Sequence, residues 1–265
     1  MRDPFKITGP TCISFSGGRT SAYMLWRVLQ AHDMSLPEDA VVCFANTGKE
    51  DEATLRFVRD CSEHWDVPIA WVEYQPEAPG YRLVSFDTAS RAGEPFEQLV
   101  RKKKYLPNPV ARFCSEELKG KAIDKHLRAI GMDDADVLVG VRADEPRRIA
   151  KLRARGLSLP LVDAKVGQAD VQAFWRAHPF DLTLEFREGV TALGNCDLCF
   201  MKGPQQIAGL VKDKPERAIW WAAQEQAIGA TFRSDRPSYG ELHSFMDSQA
   251  DMFNDEGSIG CFCGD

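Results

Sequence analysis

The chain predicts a doubly wound α/β fold with a mostly parallel sheet, on three observations. Short apolar runs alternate with helical patterns, the loops that close those runs are rich in Gly and hydroxyl residues, and 265 residues with 44% apolar side chains suffice for a core covered on both faces. Thr11–Phe15 reads as a buried strand, Ser16-Gly17-Gly18 as a tight loop, and Thr20–Ala31 as a helix. A second strand, Ala40–Ala45, runs through Asn46-Thr47-Gly48 into a helix from about Glu50 to His64, and a third strand follows at Ile69–Tyr74. The stretch Gln75–Asn108, rich in Pro and charge, reads as irregular. A helix from about Ser115 to Ile130 then leads into a strand at Asp136–Val141, Leu159–Val162 reads as a last strand, and Gln168–Ala177 as a helix stopped by His178-Pro179. Beyond Asn195 the pattern is helical until about Gly229, after which a polar, mobile tail is expected.

Composition narrows the function classes. With 33 Lys and Arg against 39 Asp and Glu, the formal net charge is −6, so the chain lacks the overall footprint of a protein that coats nucleic acid, although a local basic patch is allowed. No run approaches the roughly 18 apolar residues of a membrane span, and residues 1–18 hold no signal-peptide core, so a cytoplasmic protein is expected. The eight cysteines fall into two kinds. Cys12, Cys43 and Cys61 sit in apolar or helical patterns and read as buried hydrophobes. Cys114, Cys196, Cys199, Cys261 and Cys263 sit in Gly-flanked or polar loops and are the candidates for chemistry.

A Ser- and Gly-containing loop between a buried strand and a helix presents backbone N–H groups to an anion at the positive end of a helix dipole. Ser16, Gly17, Gly18, Arg19, Thr20 and Ser21 have that chemistry: glycines for close approach, three hydroxyls, and one guanidinium. The run Ile13–Ser21 resembles the PP-loop of the adenine nucleotide α-hydrolase superfamily, with Thr20 where that loop commonly has Asp. Phe44–Glu50 followed by Glu52-Ala53-Thr54 is similar to a Thr-Gly stretch of the phosphoadenosine phosphosulfate (PAPS) reductase family. Phe113-Cys114-Ser115 with Leu118-Lys119 resembles that family's Cys loop before a helix, and Gly140–Glu145 its Arg loop. The resemblance, over about residues 11–200, implies a nucleotide lying across the strand C-terminal ends. The PP-loop would hold phosphate or phosphosulfate, Asn46, Thr47 and Gly48 would approach ribose or adenine, and Arg142 would offer a guanidinium fork. Arg147, Arg148, Lys151, Arg153 and Arg155 read either as a solvated helix face or as further anion contacts. Arg101–Lys104 reads either as solvated or as a contact for RNA or a 3′-phosphate.

Cys196-Asp197-Leu198-Cys199 has the spacing that lets two thiolates share a metal. In iron-sulfur reductases of the resembled family a later C-x-x-C joins a Cys pair to hold a [4Fe-4S] cluster; here Phe113 precedes Cys114, leaving Cys114, Cys196 and Cys199 as three ligands, with an open iron or a tail cysteine as the fourth. Zinc and a simple dithiol are the alternatives. Cys261-Phe262-Cys263-Gly264 resembles the same family's terminal catalytic segment, whose thiol attacks the sulfur of the bound nucleotide and is resolved by a thioredoxin-like reductant, implying Cys263 and Cys261 as catalytic. Trp220-Trp221 is a candidate cover for a cluster or a homodimer contact. The expected domains are a nucleotide-binding domain at 1–165, a helical C-x-x-C extension at 166–228 and a tail at 229–265.

The expected activity is reduction of adenylyl sulfate, or its 3′-phosphorylated form, to sulfite. The alternatives are an ATP-dependent, cluster-borne sulfur transfer to a nucleic-acid base and a catalytically silent module that binds nucleotide or cluster.

Overall fold

The computed structural model describes residues 3–187 and 190–246. They fall into two compact units, one built from the described residues up to Lys102 and from Phe113 to Cys196, the other from Lys103–Arg112 and the described residues from Asp197 on.

The first unit is α/β, built on a five-stranded, mostly parallel sheet. Its strands are β1 (Thr11–Phe15), β2 (Ala40–Asn46), β3 (Ile69–Tyr74), β4 (Tyr81–Val84) and β5 (Asp136–Val139), in the order β4-β3-β2-β1-β5. Only β4 is antiparallel. The helices are α1 (Arg19–Ala31), α2 (Glu52–His64), α3 (Glu94–Lys103), α4 (Phe113–Ser115), α5 (Lys121–Ala129), α6 (Pro146–Arg153), α7 (Pro160–Asp163) and α8 (Gln168–Ala177). Alternation along the strands sends Ile13, Phe15, Val42 and Phe44 into one layer with Met24, Leu25 and Val28 of α1, Leu55 and Val58 of α2 and Trp175 of α8. Cys12, Cys43 and Ala45 face the other layer with Ile123 and Leu127 of α5. Burial on both sides is why the central strands read as continuous apolar runs.

Three sequence readings need correction. The run Leu159–Val162 is not a strand: Pro160 opens the short helix α7, and the strand-like contact at that edge is made by Ser158, which bridges to Leu138. A short apolar run does not by itself distinguish the two states. The stretch read as irregular holds β4 and α3; β4 is an edge strand with its middle residues exposed, so it lacks an apolar run. The extension expected from 166 packs on the sheet as read, with Val171 and Trp175 of α8 in its core, but the compact unit runs past 165 to Cys196. Cys12, Cys43 and Cys61 are fully buried, as expected.

In the second unit, Pro204–Asp213 (α9) and Glu216–Ile228 (α10) carry an aromatic core of Phe200, Trp221, Phe232 and Tyr239, with Phe200 stacked on Phe232 at 5.5 Å. Gly229 ends α10 in the left-handed conformation, where the helical pattern of the sequence also stops. Among the described residues no helix is long and apolar enough to cross a membrane.

Candidate functional site

Strand order places the loops. The chain winds from β1 through β2 to β3 and then returns to the far side of β1 as β5, so β1 lies at the point where the winding reverses. Open α/β sheets bind ligands in the crevice beyond the strand C-termini at such a point. The loops after β2, β1 and β5 are therefore neighbours, and they carry Asn46–Glu50, Ser16–Ser21 and Arg142 respectively.

In the loop after β1, Gly17 has φ +74°, and a Cβ there would stand 2.7 Å from Thr54 Cγ2 and 3.1 Å from Phe44 Cε2. The glycine lets α2 press against the loop from below. Gly18 precedes α1 with extended backbone and no side-chain cap, and the first-turn N–H groups of a helix have no acceptor within the helix itself. Ser21 is buried and works inward: its hydroxyl donates to Gly18 O at 3.0 Å and accepts from Ser16 N–H at 3.1 Å. With that proton committed, Ser16 Oγ donates to Ser21 Oγ at 2.9 Å while remaining exposed. Arg19 leans away from the crevice. Its Nε and Nη2 form a bidentate pair with Asp181 at 2.7 and 2.9 Å, Nη2 also donates to Leu182 O, and Trp175 Nε1 donates to Arg19 O at 2.9 Å. The guanidinium expected at the anion thus anchors the first turn of α1.

Arg142 sits across from that turn. Its Nη1 is 3.4 Å from Thr20 Oγ1, its Nε donates to Asp144 at 2.9 Å, and its N–H donates to Glu145 Oε1 at 3.1 Å. Burial pushes the Asp144 carboxyl up, but the Gln168 N–H and the Arg142 guanidinium outweigh it and hold the group below its ordinary value. The close approach depends on Gly140, where a Cβ would stand 2.8 Å from Ser21 Cα.

The loop after β2 is organised differently. Asn46 is fully buried. Its Nδ2 donates to Glu73 Oε1 at 2.6 Å and to Ser90 O at 2.9 Å, and its Oδ1 accepts from Gly48 N–H at 3.1 Å. Thr47 gives both its N–H and its hydroxyl to Glu50 Oε2, at 2.8 and 2.7 Å. The side chains expected at ribose or adenine are thus spent on the loop itself. Gly48, at φ +77°, packs with its Cα face on Gly93.

Cys196 reaches this corner. It bridges to Glu50 in antiparallel fashion, and its Sγ lies 3.5 Å from Thr47 Oγ1. Since the Thr47 proton goes to Glu50, the thiol is the donor in that contact. Glu50 Oε1 in turn takes Lys119 Nζ at 3.3 Å. Lys119 belongs to a widened turn, Glu116–Gly120, in which the Lys121 N–H bonds to Glu116 O, five residues back; such turns recur at functional sites. Cys114, half-buried, lies in α4 just ahead of it. Within the second unit, Asp197 Oδ1 accepts from Trp221 Nε1 at 2.9 Å, and the Tyr239 hydroxyl donates to Leu198 O at 2.5 Å. The half-buried Cys199 follows on that pinned backbone. Trp221 is thereby a core residue of its unit. Cys261 and Cys263 lie outside the described residues. Among the described residues no three His, Cys, Asp or Glu side chains gather as a metal site.

Glu73, Glu50, Lys119 and Asp181 escape a sequence reading because each is one carboxylate or ammonium among many. The signal that marks Glu73 is its place in the apolar strand Ile69–Tyr74, where a lone carboxylate demands buried donors.

No family model matches the chain. It is 34% identical over 215 residues to the uncharacterized nin region protein ORF290 of Escherichia phage lambda, covering 76% of this chain and 69% of that one. It is also 31% identical over 141 residues to the uncharacterized protein MJ0066 of Methanocaldococcus jannaschii, covering 53% of this chain and 24% of the archaeal protein.

Proposed function

The chain belongs to the family of the nin region protein ORF290 of Escherichia phage lambda, and we propose that it binds an adenine nucleotide at the Ser16–Ser21 loop and carries out sulfur chemistry on it, most simply reduction of adenylyl sulfate or its 3′-phosphorylated form. The observation that carries this reading is the adjacency of three loops at the reversal point of the sheet, each with a motif resembling the PAPS reductase family. In this reading first-turn N–H groups of α1 and the Thr20 hydroxyl take the phosphate or phosphosulfate, and Arg142 supplies the positive charge. Arg19 supports the loop from behind through Asp181. Asn46 and Thr47 shape the neighbouring wall, with Gly48 letting that wall pack closely on Gly93.

The sulfur step assigned by the resemblance belongs to Cys263, with Cys261 as its partner. A thiolate attacks the sulfonate sulfur, the S–O bond to the nucleotide phosphate breaks, and the nucleotide leaves with the electron pair. A thiol of a thioredoxin-like reductant then attacks the resulting S-sulfocysteine; sulfite departs, and the two thiols are oxidised to a disulfide. Cys114, Cys196 and Cys199 are the thiols the resemblance assigns to a [4Fe-4S] centre. The described residues do not gather into a metal site, so no step is drawn through it, and iron and acid-labile sulfide content after anaerobic purification tests it directly.

Calorimetry with adenylyl sulfate, PAPS and ATP tests the reading as a whole. Binding of a sulfonucleotide that is lost in Thr20→Ala and Arg142→Ala is expected. A response to ATP alone turns the reading to its ATP-dependent alternative, and no response to any of the three overturns it.

A further inference from the structure

α6 is the one helix of the sheet unit with more than one turn and no buried residue. It carries Arg147, Arg148, Lys151 and Arg153, and Arg155 follows it; no carboxylate occurs between 146 and 162. Two of these cations are spoken for. Arg148 pairs with Glu145 at 2.6 Å, and Arg153 pairs with Asp163 of α7. Arg147, Lys151 and Arg155 are exposed and make no ion pair among the described residues. Arg147 and Lys151, four positions apart, lie on one side of the helix about 6 Å from each other, close to the spacing of successive phosphates along a nucleic-acid strand, and Arg155 stands four positions further on, in the turn that follows α6. Lys165, also exposed, lies between the Arg153–Asp163 pair and the hydrogen bond from Ala143 N–H to Val166 O, which extends the strip toward the Arg142 loop.

The charge here is built against the grain of the molecule. Residues 142–170 hold seven cations and four carboxylates, net +3, in a chain of net −6. All four carboxylates are engaged: Asp144 by Arg142 and the Gln168 N–H, Glu145 and Asp163 as above, and Asp170 by the Gly167 N–H. Leaving like charges one turn apart is unfavourable, and a polyanion would reverse the sign. The apolar residues of the helix, Ile149 and Leu152, are half-buried and seat it; none of the large exposed hydrophobics of the molecule lies on α6. An interfacial membrane helix needs such a face to enter the acyl boundary.

We propose that Arg147, Lys151 and Arg155, with Lys165, form a docking strip for the phosphodiester backbone of a nucleic acid beside the loops at the end of β5. The surface contacts phosphates and carries no base readout. It stands on the charge and placement of α6 and would bind whether or not the crevice takes a nucleotide.

Fluorescence anisotropy on the full chain tests it, with a short mixed-sequence DNA duplex and a single-stranded RNA as two arms. Binding in at least one arm is expected, with affinity falling linearly in log salt, and the tighter arm identifies the source of the backbone. The triple variant Arg147→Ala, Lys151→Ala, Arg155→Ala should lose about tenfold or more in affinity and flatten the salt slope by about three. The charge-conserving variant Arg147→Lys, Arg155→Lys should retain binding, and Arg56→Ala with Arg128→Ala, which removes exposed cations on α2 and α5, should change little. Binding in neither arm, equal loss in the α2/α5 control, or capture by phosphatidylserine vesicles in place of either nucleic acid overturns the proposal. Calorimetric titration of the triple variant with the sulfonucleotides and ATP keeps this outcome apart from the nucleotide reading, since none of the three cations belongs to that site.

Discussion

The loops after β1 and β2 stand side by side and use like residue types: each follows a buried parallel strand with polar or hydroxyl residues and then a glycine at positive φ, ahead of a helix. Their hydrogen bonds separate them. The loop after β1 keeps Ser16 exposed, Thr20 half-buried and the start of α1 without a side-chain cap. The loop after β2 is saturated, with Asn46 and Thr47 buried and every polar atom of Asn46 engaged. The same residue types build what the proposed function reads as a receptor in one place and a buttress in the other. What decides is whether buried carboxylates engage the loop, as Glu73 from β3 and Glu50 within the loop do in the second.

The most forceful way to break the contrast is to remove the buttress. Glu73→Ala deprives Asn46 Nδ2, the Ser90 N–H and hydroxyl, and two nitrogens of Arg82 of their acceptor. A loss of about 3–5 kcal/mol is expected by urea unfolding, because the Asn46 and Ser90 donors are buried while Arg82 can turn to water. Gly17→Ala attacks the receptor loop through packing. A cost of about 1–3 kcal/mol is expected from the positive φ and the Thr54 contact, and Thr54→Ser, which deletes Cγ2, should recover part of it in a double-mutant cycle. Sharpening the contrast takes two smaller changes measured together. Asn46→Ala should cost about 1–3 kcal/mol of stability, whereas Thr20→Ala should shift stability by no more than about 0.5 kcal/mol yet weaken nucleotide binding in calorimetry. Equal effects of the two on stability would erase the distinction.

The smallest expected effect is one of pH, behind the receptor loop. His178 is ringed by Trp26, Trp65, Phe174, Trp175 and Phe180, and its Nε2 accepts from Trp65 Nε1 at 3.3 Å. Burial, and then the neighbouring His64, hold it below the ordinary 6.5. The unfolded chain therefore takes up the proton first on acidification. The contribution of His178 is complete above pH 6.5 and is lost as pH falls toward the lower folded value. His178→Gln should flatten the pH dependence of the melting temperature on the acid side of neutrality; an unchanged slope would show that other groups set it.

The chain's order of strands and helices through Tyr74 was legible because burial on both sheet faces leaves uninterrupted apolar runs, and the Ser16–Ser21 loop was legible because its hydroxyls and glycines stand together. β4 was hidden by its exposure at the sheet edge, and α7 by a run too short to show a period. The sequence by itself determined the sheet class, the Ser- and Gly-containing turn after the first strand, the buried cysteines and the cationic character of residues 147–155, all of which are local properties of spacing and composition. Only the tertiary structure decided which polar residues face the crevice. Arg19 is claimed by Asp181, 162 positions away, and Asn46 by Glu73, 27 positions away. A buried polar group must be satisfied, but the partner that satisfies it is chosen by the packing of distant segments, and spacing along the chain does not encode that choice.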